Sequence, residues 1–287
     1  MTNPETRPTS PPPVWRENAA SDRRWPSLRF SQIWRHRELA IFFAVRDVKV
    51  RYKQAYLGVA WAGLQPLAGA MAFTFVFNRL ADIDVGSRSY FAFALVGFAV
   101  WSYFSASLST GSNSLVYNAN LLTKIAFPRV VIPLAALLPG LIDFAVGAVL
   151  ACAAAVLAGD GVHPVTLLLT VPVGVVMMLA TSAGLVLCFG AMIVRFRDVG
   201  VIVGFGLQVL LFASPVGYPP ELVANPWRTL LYVNPLSGCL GLLRAGLVGT
   251  PLPSAVQLLL SGAVAFLLFV GGLAYFRRHE REFADII

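Results

Sequence analysis

The chain of 287 residues is 57% hydrophobic and only 13% charged, whereas a soluble domain of this size is about a quarter charged and under half apolar. Its apolar residues gather in blocks that reach the ~20 residues needed to span a bilayer, which excludes an ordinary water-soluble fold. The formal net charge of +8 lies beside those blocks, where Lys and Arg report topology and headgroup contact, so no nucleic-acid partner is expected.

Residues 1–33 read as a disordered, Pro-rich cytoplasmic tail without the apolar stretch of a signal peptide. Residues 34–56 read as an amphipathic interface helix. Ile41, Val45, Val48, Tyr52 and Tyr56 form its apolar stripe, with Arg46, Lys49 and Lys53 on one flank and Asp47, Arg51 and Gln54 on the other. A basic helix of this kind lies along a membrane surface. Its cations have two readings: Arg46, Lys49, Arg51 and Lys53 receive the diphosphate of a lipid-linked substrate, or they anchor the helix to anionic membrane lipids.

Spans are predicted at about 57–79, 90–111, 130–158, 165–194, 199–217 and 255–276, with a polar loop at 112–129 and a Gly-rich turn after residue 158. The fifth ends at Ser214-Pro215-Val216-Gly217-Tyr218-Pro219-Pro220. These prolines remove backbone donors and free carbonyls that hydrocarbon does not solvate, so the break must be covered by protein or face water.

Within residues 218–253, Thr229 to Gly249 are apolar enough to suggest a seventh span, but Asn234-Pro235 and Arg244 fall within them. Six spans place 18 of the 22 Lys and Arg on the tail side; a seventh lowers that to 15 and leaves Arg244 in lipid. The positive-inside rule therefore favours six. The expected fold is an all-α polytopic membrane protein of six spans with cytoplasmic termini and a re-entrant or interfacial external hairpin at 218–253.

Catalysis is not expected. There is no Walker-type phosphate loop, and His36, His163 and His279 lack metal-ligand spacing. Cys152, Cys188 and Cys239 form no framework. Asp143 is the one carboxylate within a predicted span, which leaves two readings: a structural carboxylate bonded to a neighbouring helix, or the site of an ion-coupled secondary transporter. Trp61, Gln65, Ala68, Ala72, Phe75 and Arg79 share a face of the first span, and Phe205, Gln208 and Phe212 one of the fifth. Aromatic faces with interspersed amides suit sugars, and they equally suit plain helix packing.

Several motifs together resemble the permeases of polysaccharide-exporting ABC transporters. They are Arg51-Tyr52-Lys53-Gln54 with Leu57-Gly58, Trp61 and Gln65-Pro66; Phe127-Pro128-Arg129; Ser214 to Pro219; and Asn234-Pro235-Leu236. The resemblance runs from about Ile33 to the C-terminus. It implies a bacterial cytoplasmic-membrane homodimer, driven by two copies of a separate ATPase that binds ATP and Mg, with no cofactor on this chain. It also implies a lipid-linked polysaccharide substrate (O-antigen, capsule, teichoic acid or galactan) and a channel lined by Trp61, Gln65, Phe75, Phe205, Gln208 and Phe212. Lys124, Phe127, Pro128 and Arg129 would lie in an ATPase-coupling loop. Ser214, Pro215, Gly217, Tyr218, Pro219, Asn234 and Pro235 would belong to an external gate. Export of a small lipid or drug on the same scaffold is the alternative. The long Pro-rich extension and Val130, where an acidic residue is frequent, depart from the family pattern.

Overall fold

The computed structural model describes residues 37–53, 58, 60–82, 85, 88–124, 127–161, 163–280 and 283. The predicted tail at 1–33, the first residues of the interface helix, Tyr56 and Leu57 lie outside them. All regular structure among the described residues is helical. In chain order the helices are α1 (Arg37–Lys53), α2 (Ala60–Phe73, continued by a π-helix at Thr74–Leu80), α3 (Tyr90–Tyr117), α4 (Ala119–Lys124) and α5 (Val131–Ala135). There follow α6 (Leu138–Leu157), α7 (Pro164–Arg195), α8 (Val199–Ala213), α9 (Trp227–Leu231), α10 (Pro235–Leu247) and α11 (Ala255–His279).

Among the described residues, five helical segments are long and apolar enough to cross a bilayer: Ala60–Leu80, Tyr90–Tyr117, Val131–Leu157, Pro164–Arg195 and Ala255–His279. The fifth predicted span is shorter. α8 has 15 residues, about 22 Å at 1.5 Å per residue, against a hydrocarbon core of ~30 Å. The second is longer, because its helix passes Gly111 and takes the first residues of the predicted 112–129 loop.

The helix ends follow local chemistry. Ser89 caps α3 by accepting from the Ala92 N–H, and Asn234 caps α10 by accepting from Leu236 ahead of Pro235 at the first helical position. Ser254 and Gln257 close α11 with a reciprocal capping box. Gly159 takes φ +83° in the turn after α6, a conformation open to glycine at little cost.

α3 is the central post. Its apolar window is 78% buried, against 22% in Ala60–Leu80 and in α11. α2, α6, α7, α8 and α10 all pack against it. On the far side α7 carries α10 and α11. There Gly184 and Gly272 let two backbones touch, since a Cβ on Gly272 would meet the Gly184 carbonyl and one on Gly184 would meet the Leu268 backbone. A second apolar cluster ties α1 to the end of α11 through Phe43, Val131, Val194, Phe276 and Phe283.

The Pro-rich break is covered by protein. Ser214, Pro215, Val216 and Gly217 are buried, and α10 folds back beneath them with nearly all its residues buried. That burial accounts for its span-like composition. Arg244 is 2% exposed and lies inside protein, so the lipid exposure that weighed against a seventh span does not arise in this packing.

Candidate functional site

At the C-terminal end of α1, Arg51 reaches the carboxylate of Asp143 within the candidate span Val131–Leu157. Its Nη2 lies 2.8 Å from Asp143 Oδ2, and the Tyr52 hydroxyl donates to Asp143 Oδ1. The Asp143 residue on α6 is 6% exposed. Partial burial, reinforced by the bond to Asp143, pushes the Tyr52 hydroxyl up to about 12, so it stays a donor at neutral pH. The predicted basic patch is therefore divided. Arg46 pairs with its neighbour Asp47 at 2.8 Å and stacks over the Phe43 ring, Arg51 is held by Asp143, and Lys49 and Lys53 are exposed. Of the two sequence readings of Asp143, this geometry gives the carboxylate a partner on a neighbouring helix. Position 143 signalled this; the identity of the partner did not show in the sequence.

Two cavities meet at Arg51. The larger, about 580 Å³, lies between α1, α3 and the start of α6 and is lined among others by Arg46, Arg51, Ser107, Thr110, Ser114 and Asn118. The smaller, about 240 Å³, holds Arg51, Tyr52, Trp61, Gln65, Ser102 and Asp143. It thus joins α1 to the predicted channel face of α2.

That face is open in the single chain. Trp61 is 51% and Phe75 59% exposed, and Gln65, Ala68, Ala72 and Arg79 are exposed with them. Phe73 and Phe77 turn the other way, with Phe73 packing edge-on against Phe98 of α3. On α8, Phe205 and Phe212 are 68% and 67% exposed, with Gln208 exposed between them. α2 and α8 share α3 as a neighbour.

The loop after α4 is tied to the rest of the chain. Phe127 packs on Phe43 with ring centroids 5.9 Å apart, and the Pro128 carbonyl accepts from Val131. The Arg129 backbone N–H donates to Glu280 Oε1 at 3.0 Å, and its guanidinium donates to the Glu280 carbonyl. Lys124 closes α4; its side chain lies outside the described atoms.

On the opposite end, donors converge on the break. Arg244 Nη1 donates to the Pro215 carbonyl at 2.7 Å and Nη2 to Val216 at 2.5 Å, while its guanidinium lies 3.5 Å from the centre of the Phe93 ring. The Tyr90 hydroxyl donates to the Gly217 carbonyl. Asn234 Nδ2 donates to Ser214 Oγ at 2.7 Å, and the Tyr218 hydroxyl reaches the Phe212 carbonyl. Pro219 and Pro235 are buried beside them. The freed carbonyls thus find side-chain donors, as hydrocarbon burial demands. A cavity of about 460 Å³ with Phe93, Pro219, Glu221, Tyr232, Arg244 and Gln257 in its wall adjoins the break. Sequence reasoning treated Arg244 only as an obstacle to a span. The signal that it serves the break was a lone cation in an apolar segment close to carbonyls without donors. No group of His, Cys, Asp and Glu able to hold a metal occurs among the described residues.

The family model described as ABC-2 type transporter matches residues 39–248. The chain is similar to an O-antigen export system permease protein RfbA of Myxococcus xanthus, 27% identical over 258 residues covering 89% of this chain and 98% of the relative. It is also similar to an RfbA permease of Klebsiella pneumoniae, 25% identical over 255 residues covering 87% and 95% of the two chains.

Proposed function

The chain belongs to the ABC-2 type transporter family, and from that premise we propose that it is the membrane-spanning permease of an ATP-driven exporter of lipid-linked polysaccharide in the bacterial inner membrane. Two copies form the pathway, and two copies of a separate ATPase subunit bind ATP and Mg and drive it. Each permease has six spans, with α8 as the short fifth, α1 along the cytoplasmic surface, and residues 218–253 as a hairpin on the outer side. The observation that carries this reading is the near end-to-end match to permeases named for O-antigen export.

The geometry is consistent with it in three places. Exposed aromatic and amide faces on α2 and α8 offer ring surfaces and hydrogen bonds, which a sugar chain uses together. The Phe127–Arg129 loop is tied to both α1 and the end of α11, so a push on it reaches both. Asp143 is engaged by Arg51 and Tyr52, an arrangement that opposes its use as a free ion-coupling site.

Deletion of the gene in its host should remove surface polysaccharide and accumulate lipid-linked chains inside the cell. Restoration should require both the permease and an ATPase subunit with an intact Walker motif. Export that persists when the ATPase is inactivated would overturn the reading.

A further inference from the structure

We propose that Asp143 is an exchangeable counter-ion: it holds Arg51 while the 580 Å³ cavity is empty and yields it to a phosphate-bearing headgroup that enters there. This rests on the reading of the substrate as lipid-linked and phosphate-bearing.

Arg51 lines both cavities, so a change in its position alters both. The pair is asymmetric. The Asp143 side chain is 7% exposed and that of Arg51 39%, which leaves the cation within reach of an arriving anion while the carboxylate stays sheltered. Arg46, the other cation on the larger cavity, is already neutralised by Asp47. Transfer of Arg51 is therefore the step that changes how the cavity presents charge.

One further feature fits an exchange rather than a permanent clasp. Tyr52 bonds Asp143 independently of Arg51. When the guanidinium leaves, the buried carboxylate keeps one donor, which lowers the cost of separating the pair. Once Arg51 swings away, the headgroup faces Trp61 and Gln65 in the smaller cavity.

The test is binding of inorganic pyrophosphate and of a short-chain prenyl diphosphate to the permease–ATPase complex in nanodiscs, read by calorimetry. Asp143→Asn removes the competing charge and should tighten binding by about 5- to 150-fold, the range of ordinary coupling between sites. Asp143→Glu should behave as the native protein, and Arg51→Ala should lose binding. Tyr52→Phe leaves Asp143 more dependent on Arg51 and should weaken binding. It decides the question with the opposite sign if the Asn variant fails to assemble. Unchanged or weaker binding in Asp143→Asn, with binding still lost in Arg51→Ala, would make Asp143 a structural support and leave the substrate reading intact. Unchanged binding in Tyr52→Phe would likewise overturn the exchange. Failure of the native complex to bind either diphosphate would remove the headgroup reading and the exchange with it.

Discussion

At the scale of single residues, the Pro-rich break after α8 depends on Arg244. The Pro215 and Val216 carbonyls accept from its guanidinium in a buried setting, and a buried acceptor left without a donor costs about 1–3 kcal/mol. Arg244→Ala should therefore lower the thermal stability of the detergent-solubilised permease by several degrees. Arg244→Lys should recover only part of the loss, because an ammonium lacks the planar fork that serves two carbonyls at once. Equal stability of native protein and Arg244→Ala would show that water replaces the side chain. Tyr52 yields a pH prediction. The Tyr52 hydroxyl is raised from 10.0 to about 12, so between those values the folded state holds more protons than the unfolded one, and stability falls as pH rises. Its contribution is complete below about pH 10 and lost through pH 12; Tyr52→Phe should flatten that part of a stability–pH curve. Both residues show the limit of sequence reading. Asp143 and Arg244 were conspicuous as charges in apolar sequence, but their partners Arg51 and the Pro215 and Val216 carbonyls became neighbours only through helix packing.

At the scale of elements, helix existence was the most legible property, because composition and the bilayer thickness together fix it. Less legible were the ends. The polar residues after Gly111 continue α3 because the protein around its C-terminal end packs Ser112, Ser114 and Leu115. Nor did any pattern announce the π-helix at Thr74–Leu80, which carries Phe75 and Arg79. Helix contacts were illegible too, and the crossing of α7 and α11 shows why. It depends on two glycines that look, in sequence, like the neighbouring ones. Gly272→Leu would drive a side chain into the Gly184 carbonyl, and overpacking of this kind costs about 1–3 kcal/mol or more. A Cβ at Gly271 meets nothing within 4 Å, so Gly271→Ala should be neutral or mildly stabilising, by up to ~1 kcal/mol of helix propensity. Thermal unfolding of the two variants side by side checks the crossing; equal behaviour would contradict it.

For the whole molecule, the question is what covers α2 and α8. Their aromatic faces are exposed in the single chain, and three occupants compete: lipid, a second copy, or a sugar chain passing between copies. The three differ in what truncation would do. Ring faces that meet only lipid would tolerate loss of both rings with little effect on stability or export. A tight helix interface would lose dimer stability, because aromatic pairs and buried area contribute there. Faces that guide a sugar chain would lose transport while the folded dimer persists. Phe205→Ala with Phe212→Ala should therefore leave the melting temperature and dimer mass of the permease–ATPase complex within error. Export of the polysaccharide should fall several-fold. Trp61→Ala should act in the same direction, since Trp61 lies both on this face and in the cavity beside Arg51. Native export from the double variant would assign the α8 face to lipid. A lowered dimer stability in parallel with export would assign it to packing, and the channel would then have to be sought along another face of α3.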